Sequence, residues 1–114
     1  MKASDLAKEF KLTVVAGKDG LEREISGGHC GDLLSEVMAN APIGCVWLTI
    51  QIHQNIVAVA LLKEMAAIIL TGGNVPDAET CAKADEEGIP IMLSSLRSYE
   101  IAGRLYNVGV GRER

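Results

Sequence analysis

The chain is poor in aromatic residues and proline, and it carries no large excess of charge. Its 114 residues include one Trp, two Tyr and one Phe, so that aromatic residues make up 4% of the total. A core must therefore be built from aliphatic side chains, which is typical of parallel sheets covered by helices. The net charge is −4, and no cluster of Lys or Arg is present. This charge disfavours nucleic-acid binding, which needs a basic face.

A long uninterrupted apolar segment is also missing. Residues 37–62 contain no charged side chain, but Asn40, Pro42, Gly44 and the polar residues among positions 51–55 interrupt them. The segment therefore does not fit a membrane-spanning helix, which needs about 20 predominantly apolar residues in a row. The N-terminal sequence MKASDLAKEF has no apolar signal core. We therefore expect a soluble cytoplasmic protein that binds neither membranes nor nucleic acid.

Cysteine occurs three times, as Cys30, Cys45 and Cys81, with no C-x-x-C pair. This spacing indicates neither a zinc site nor a disulfide framework, and we expect three reduced thiols. His29 precedes Cys30, but adjacent side chains rarely point at each other and no third orienting group is evident. A catalytic Cys–His pair is therefore disfavoured.

Motifs for metal binding and phosphoryl transfer are absent as well. His29, Asp32 and His53 match no recognised metal-ligand spacing. The sequence has no G-x-x-x-x-G-K-[ST] loop, whose lysine holds the phosphates of ATP in many kinases and ATPases. We therefore expect no cofactor and no enzymatic activity.

The second half of the chain alternates between apolar runs and helical patterns. Cys45–Ile50, Ala67–Leu70 and Ile89–Leu93 are continuous apolar runs, as in strands buried on both faces. Each is followed by a helical pattern: IVAVALLKEM, DAETCAKADEE and RSYEIAGRLYNV. Such alternation implies right-handed crossovers and a parallel sheet with helices outside. We predict one α/β domain over residues 1–114, a small layered domain with a mostly parallel central sheet flanked by helices. Its core spans about residues 12–109, and residues 110–114 form a loose tail.

The first half of the chain is less regular. Ser4 is a candidate cap for a helix over Asp5–Phe10, and LTVVAG is a short strand pattern. Glycine is then concentrated between Gly17 and Gly31, which predicts a turn-rich segment. Asp32 is the expected start of the helix DLLSEVMANA, and Asn55 is the expected cap of the helix after the first buried run.

Polar residues follow each of the three buried runs. Parallel strands place their carboxyl ends at one edge of the sheet, where ligands of open α/β folds bind. Helix N-termini at that edge favour an anion or another polar ligand. The predicted ligand-binding rim consists of Thr49, Gln51, His53, Asn55, Thr71, Gly72 and Gly73. The alternative reading is structural, because Thr, Asn and Gly are also ordinary cap and turn residues. An open concavity between Thr49–Asn55 and Thr71–Gly73 favours the binding of a ligand. A rim filled by its own side chains favours a protein-interaction adaptor.

Four segments together resemble DRTGG-domain proteins: DLLSEVMANAP, VWLTIQIHQNIVAVA, IILTGG and EEGIPIMLS. More narrowly, they resemble small bacterial proteins related to the N-terminal domain of HPr kinase/phosphorylase. The likeness extends from about Leu12 to Gly109. Thr71, Gly72 and Gly73 match the Thr-Gly-Gly of the family pattern. Where family members carry an Asp-Arg pair, this chain reads QIHQN.

The resemblance implies regulation rather than catalysis. Such domains are found beside nucleotide-binding CBS modules and at the front of metabolic enzymes, and dimers are usual. We therefore expect a non-catalytic module that binds a small polar or anionic ligand, such as a nucleotide, at the carboxyl edge of the sheet. Expected partners are a second copy of the chain, through DLLSEVMANA or RSYEIAGRLYNV, and a partner enzyme or regulator. The alternative is a protein-interaction adaptor that binds no small molecule.

Overall fold

The computed structural model of the protein describes residues 1–111, and five α-helices and five strands lie within this range. The helices are α1 (Ala3–Glu9), α2 (Leu34–Asn40), α3 (Asn55–Leu62), α4 (Ala78–Glu87) and α5 (Ser98–Asn107). The strands are β1 (Thr13–Ala16), β2 (Gly27–Cys30), β3 (Cys45–Thr49), β4 (Ala67–Leu70) and β5 (Ile91–Leu93). None of the helices within residues 1–111 is long and apolar enough to cross a membrane.

All five strands form one sheet in the order β1-β5-β4-β3-β2. The strands β2, β3, β4 and β5 run parallel to one another, whereas β1 pairs antiparallel with β5. The antiparallel register places Thr13, at the start of β1, opposite Leu93, at the end of β5. The prediction of a small α/β domain with a mostly parallel sheet is confirmed.

Each face of the sheet is covered by helices, which explains why the central strands are apolar throughout. Trp47 and Ile68 pack with residues of α2, α3 and α4 in one buried cluster. The neighbouring residues Val46 and Ile69 point to the opposite face and pack with α1 and α5. Leu6 of α1 is fully buried, so α1 contributes to the hydrophobic core.

Two segments in the first half differ from the sequence prediction. Gly27–Cys30, within the segment predicted to be rich in turns, forms the strand β2 at the edge of the sheet. Its sequence gives little sign of a strand because Gly28 and Cys30 are exposed and two of its residues are glycine. Asp32 does not begin α2, which starts at Leu34, because the Asp32 carboxylate instead binds the loop after β3.

The helix ends also differ at two of the predicted caps. Ser4 lies inside α1, whose cap position is held by Lys2. Asn55 is the first helical residue of α3, and Gln54 precedes it. Gly88 ends α4 in the left-handed conformation, with a φ of 66°, as expected for a glycine at that position. Residues 112–114 of the predicted loose tail lie outside the described residues.

Candidate functional site

Asp32 organises the loop that follows β3. The Thr49 hydroxyl and the Ile50 backbone N–H both donate to Asp32 Oδ1, at 2.9 Å each. Gln51 Nε2 donates to the Asp32 backbone oxygen at 3.0 Å. Thr49 is fully buried, so its hydroxyl holds the loop in place and does not face solvent. Both Thr49 and Gln51 therefore bind the connection between β2 and α2.

His53 and Asn55 are exposed at the same edge of the sheet. Within residues 1–111, neither side chain makes a hydrogen bond. Ile52 lies in the loop between β3 and His53. Its carbonyl accepts hydrogen bonds from Thr80 Oγ1 at 2.7 Å and from the Asp77 N–H at 3.2 Å. This loop is therefore fixed to the start of α4 by its backbone, while its imidazole and amide side chains remain accessible to a ligand.

Thr71 joins the loop after β4 to its neighbours. Its backbone N–H donates to the Thr49 carbonyl at 3.1 Å, so the structure brings these two predicted rim residues together. The Thr71 and Ser98 hydroxyls lie 2.6 Å apart and share a hydrogen bond. Asn74 Nδ2 donates to the Thr71 carbonyl at 2.8 Å. Thr71 is fully buried, and its polar atoms maintain the loop structure.

Gly72 and Gly73 adopt left-handed backbone conformations, with φ of 67° and 78°. Glycine is favoured there because a side chain is strained at such angles. The Gly72 N–H donates to the Leu96 carbonyl at 2.7 Å, and the Gly73 N–H donates to the Ser94 carbonyl at 3.1 Å. These backbone donors bind the loop after β5, so they are not free to contact a ligand.

A cavity of about 250 Å³ opens at the carboxyl edge, on the Gly73 side of the rim. The loop after β4, the loop after β5 and the connection between α1 and β1 surround it. Its lining residues are Phe10, Lys11, Thr13, Gly73, Asn74, Leu93, Ser94, Ser95 and Leu96. Of the predicted rim residues, Gly73 is the one that lines this cavity. The contributions of Lys11 and Asn74 were not predicted, and that of Lys11 depends on the pairing of β1 with β5.

A second groove, of about 240 Å³, lies between β2 and α5 and includes His29 and Cys30. His29 Nε2 lies 3.0 Å from Glu36 Oε1, and this hydrogen bond lowers the pKa of Glu36. Burial raises the pKa of Cys30, and the charge of Asp32 raises it further. A raised pKa is the opposite of what a nucleophilic thiol needs, so this environment disfavours a catalytic Cys–His pair.

The cysteine residues are free thiols. Burial raises the pKa of Cys45 to about 11 and also raises that of Cys81, so neither is activated. In the part of the chain that the structure describes, no group of three or more His, Cys, Asp or Glu residues is placed to hold a metal ion.

The sheet order and the turns at its carboxyl edge define a small α/β domain with a Thr-Gly-Gly turn after its central strand β4. The family model of the DRTGG domain matches residues 5–108. The chain therefore belongs to the DRTGG domain family. A comparison with curated proteins finds no match.

Among solved structures, a similar one is the crystal structure of the CBS and DRTGG domains of the regulatory region of Clostridium perfringens pyrophosphatase, complexed with its activator diadenosine tetraphosphate. The TM-score is 0.70 and the sequence identity 16%, over 91% of this chain and 45% of that one. The likeness shows the fold, and this chain spans less than half of that regulatory region.

We predict that Asp32→Ala destabilises the protein by about 1–3 kcal/mol, because it leaves the buried Thr49 hydroxyl without its acceptor. Asp32→Asn keeps an acceptor oxygen at that position and is expected to lose less stability than Asp32→Ala. Asp19→Ala, which removes an exposed carboxylate with no hydrogen bond among residues 1–111, serves as the control and changes stability by less than about 0.5 kcal/mol. Urea denaturation measures all three. Equal stability of Asp32→Ala and the parent protein would contradict the role assigned to Asp32.

Proposed function

We propose that the chain is a non-catalytic regulatory module that binds a small polar or anionic ligand, such as a nucleotide, at the carboxyl edge of its sheet, and that it acts as a homodimer. The observation that carries this proposal is the polar cavity beside the Thr-Gly-Gly turn. Family membership supports it, as does the fold of a regulatory region that was crystallised with a nucleotide activator. The missing phosphate loop and the unactivated thiols support a function without catalysis.

The predicted rim residues take different parts in the proposed site. His53 and Asn55 are accessible for direct contact with a ligand, and Gln51 is partly exposed beside them. Thr49 and Thr71 are buried and shape the two loops. The proposed ligand site comprises the direct contacts and the residues that shape the loops: Thr49, Gln51, His53, Asn55, Thr71, Gly72 and Gly73.

Ligand binding is tested by a thermal-shift screen of nucleotides and central metabolites. A ligand at about 100 times its Kd adds about 2.7 kcal/mol to the free energy of unfolding, which is a readily measured shift. For a ligand found in this way, we predict that Gly73→Ala weakens binding and costs about 1 kcal/mol of stability because of its positive φ. His53→Ala is expected to weaken binding while changing stability by less than about 0.5 kcal/mol.

The matched control is Gly88→Ala, at the end of α4. Gly88 has a φ of 66°, similar to that of Gly73, and a Cβ there would meet nothing closer than Arg23 at 4.0 Å. This variant is expected to lose similar stability without losing ligand affinity. A ligand that maps to the groove of His29 and Cys30, in a crystal or by amide shifts, would show that the rim is not the site.

The outer face of α5 is the surface that we propose for the homodimer. Tyr99 and Tyr106 are 93% and 60% exposed, and Gly103 lies between them at helical spacing. A Cβ on Gly103 would meet no heavy atom of the described residues within 4 Å, so a second helix has room to approach. Glu100 and Arg104 pair at 3.0 Å beside this stripe. In an antiparallel two-fold arrangement, Glu100 of each copy comes near Arg104 of the other.

We predict that Tyr99→Glu converts the dimer to a monomer without loss of stability, because Tyr99 packs against little of its own chain. Leu62→Glu is the control, since Leu62 is 71% exposed at the end of α3, away from the proposed interface. Sedimentation at about 50 µM separates the two outcomes. A parent protein that sediments as a monomer, or a Tyr99→Glu variant that remains dimeric, is incompatible with this interface.

A protein-interaction adaptor is the second candidate function. It is favoured by the internal hydrogen bonds of Thr49, Thr71, Gly72 and Gly73, which fill much of the predicted rim. The exposed face of α5 would then bind a different protein, such as a partner enzyme or regulator. A complete absence of ligands in the thermal-shift screen, together with a monomeric protein, would support the adaptor.

Three further predictions about this chain rest on its sequence patterns alone. These are the likeness to the N-terminal domain of HPr kinase/phosphorylase, a bacterial cytoplasmic setting, and a single domain over residues 1–114. They remain predictions.

A further inference from the structure

Three backbone carbonyl groups at the carboxyl edge, beside the cavity, already accept hydrogen bonds. The Ser94 carbonyl accepts from the Gly73 N–H at 3.1 Å, and the Leu96 carbonyl accepts from the Gly72 N–H at 2.7 Å. The carbonyl of Thr71 accepts from the Asn74 side chain and backbone. These three oxygen atoms are therefore engaged by their own partners and repel an anion less than free carbonyl groups would.

Hydrogen-bond donors remain available in the same cavity. Ser94 is only 7% exposed, and its Oγ accepts from the Leu96 N–H at 3.1 Å, which leaves the hydroxyl hydrogen to donate. Asn74 uses one amide hydrogen on Thr71 and retains a second. Ser95 is exposed, lines the cavity and carries another hydroxyl. A partly buried set of donors is suited to a ligand that presents several acceptor oxygens.

Lys11 is the charged residue among those that line the cavity, in a chain whose net charge is −4. No carboxylate belongs to the lining. Lys11 lies at the cavity because β1 is antiparallel to β5, so the connection before β1 meets the carboxyl end of β5. The charge at this place is therefore positive, even though the chain as a whole is acidic.

The backbone of Lys11 gives a second reason to assign a role to its side chain. Lys11 follows α1 with a φ of 51°, and the next N–H, of Leu12, donates back to the Ala7 carbonyl at 2.9 Å. Glycine is the usual residue at such a helix end, because other residues are strained there. The chain instead places a lysine there, and this lysine lines the cavity.

We propose that this cavity binds the phosphate group of a small ligand. The Lys11 ammonium supplies the charge, and Ser94, Ser95 and Asn74 supply hydrogen bonds. At about 250 Å³ the cavity is smaller than the roughly 300–1,000 Å³ of sites that enclose a drug-sized ligand. It therefore holds a phosphate head group, with the rest of the ligand outside. The inference rests on the proposed ligand-binding function and names the chemical group that is recognised.

The test is a titration of the full chain with inorganic phosphate at constant ionic strength, followed by amide NMR shifts. Saturating shifts are expected at Lys11, Gly73, Asn74 and Ser95. Lys11→Gly is expected to weaken phosphate binding by about tenfold or more, since a charged hydrogen-bonding partner is lost. The melting temperature of this variant is expected to stay the same or rise, because glycine fits the positive φ.

Glu64→Gly is the matched control. Glu64 follows α3 with a φ of 50°, which is close to that of Lys11, and it lines a different cavity. The same backbone change at this position is expected to leave phosphate binding unaltered. Lys11→Gln is a second variant that removes the charge without introducing glycine, and it is expected to lose binding as well.

Each outcome of the titration decides the proposal. Shifts that persist in Lys11→Gly, or that spread over surface lysines without saturating, would mean an adventitious ion only and would overturn it. Shifts centred on residues 51–55 would overturn it too, while leaving the proposed ligand-binding function intact.

Titration with AMP separates the sources of phosphate. Stronger binding of AMP at these residues supports a nucleotide, whereas stronger binding of inorganic phosphate supports a phosphate-sized ligand and counts against the nucleotide alone.

Discussion

Four consecutive strands that lie side by side, parallel and in chain order, constrain the whole domain. Right-handed crossovers between β2, β3, β4 and β5 place the connecting helices α2, α3 and α4 on one face of the sheet. The other face must then be covered by helices from outside this run. The ends of the chain provide them, because α1 precedes β1 and α5 follows β5. Burial of both faces depends on this arrangement.

The same constraint assembles the carboxyl edge. The loops after β3 and β4 are joined by the hydrogen bond from Thr71 to Thr49, and the loop after β4 is joined to the next one through Gly72 and Gly73. Because β1 returns antiparallel along β5, the end of α1 is brought to this edge with Lys11. The cavity is therefore formed before any ligand arrives, as is usual for small-molecule sites, and two of its donors, Ser94 and Asn74, are held by hydrogen bonds within the loops.

The sequence predicted the fully buried strands β3 and β4 and also indicated β1 and β5, but it missed β2. Trp47 and Ile68 belong to runs that are apolar at every position, because helices cover both sides of β3 and β4. The strand β2 lies at the edge of the sheet, and its glycines resemble a turn. Topology correctly placed Thr49 beside Thr71. The partners of their hydroxyls, Asp32 and Ser98, are distant in sequence, and no local pattern reveals such pairs. The place of Lys11 likewise depends on a long-range strand pairing.

We propose that the carboxyl edge of this sheet is an oxyanion site. A crystal structure of the chain grown with selenate, an oxyanion that scatters X-rays anomalously, measures this directly. We expect an anomalous peak within hydrogen-bond distance of both Lys11 Nζ and Ser94 Oγ. Selenate found only in the groove between β2 and α5, or only between molecules of the lattice, would contradict the claim.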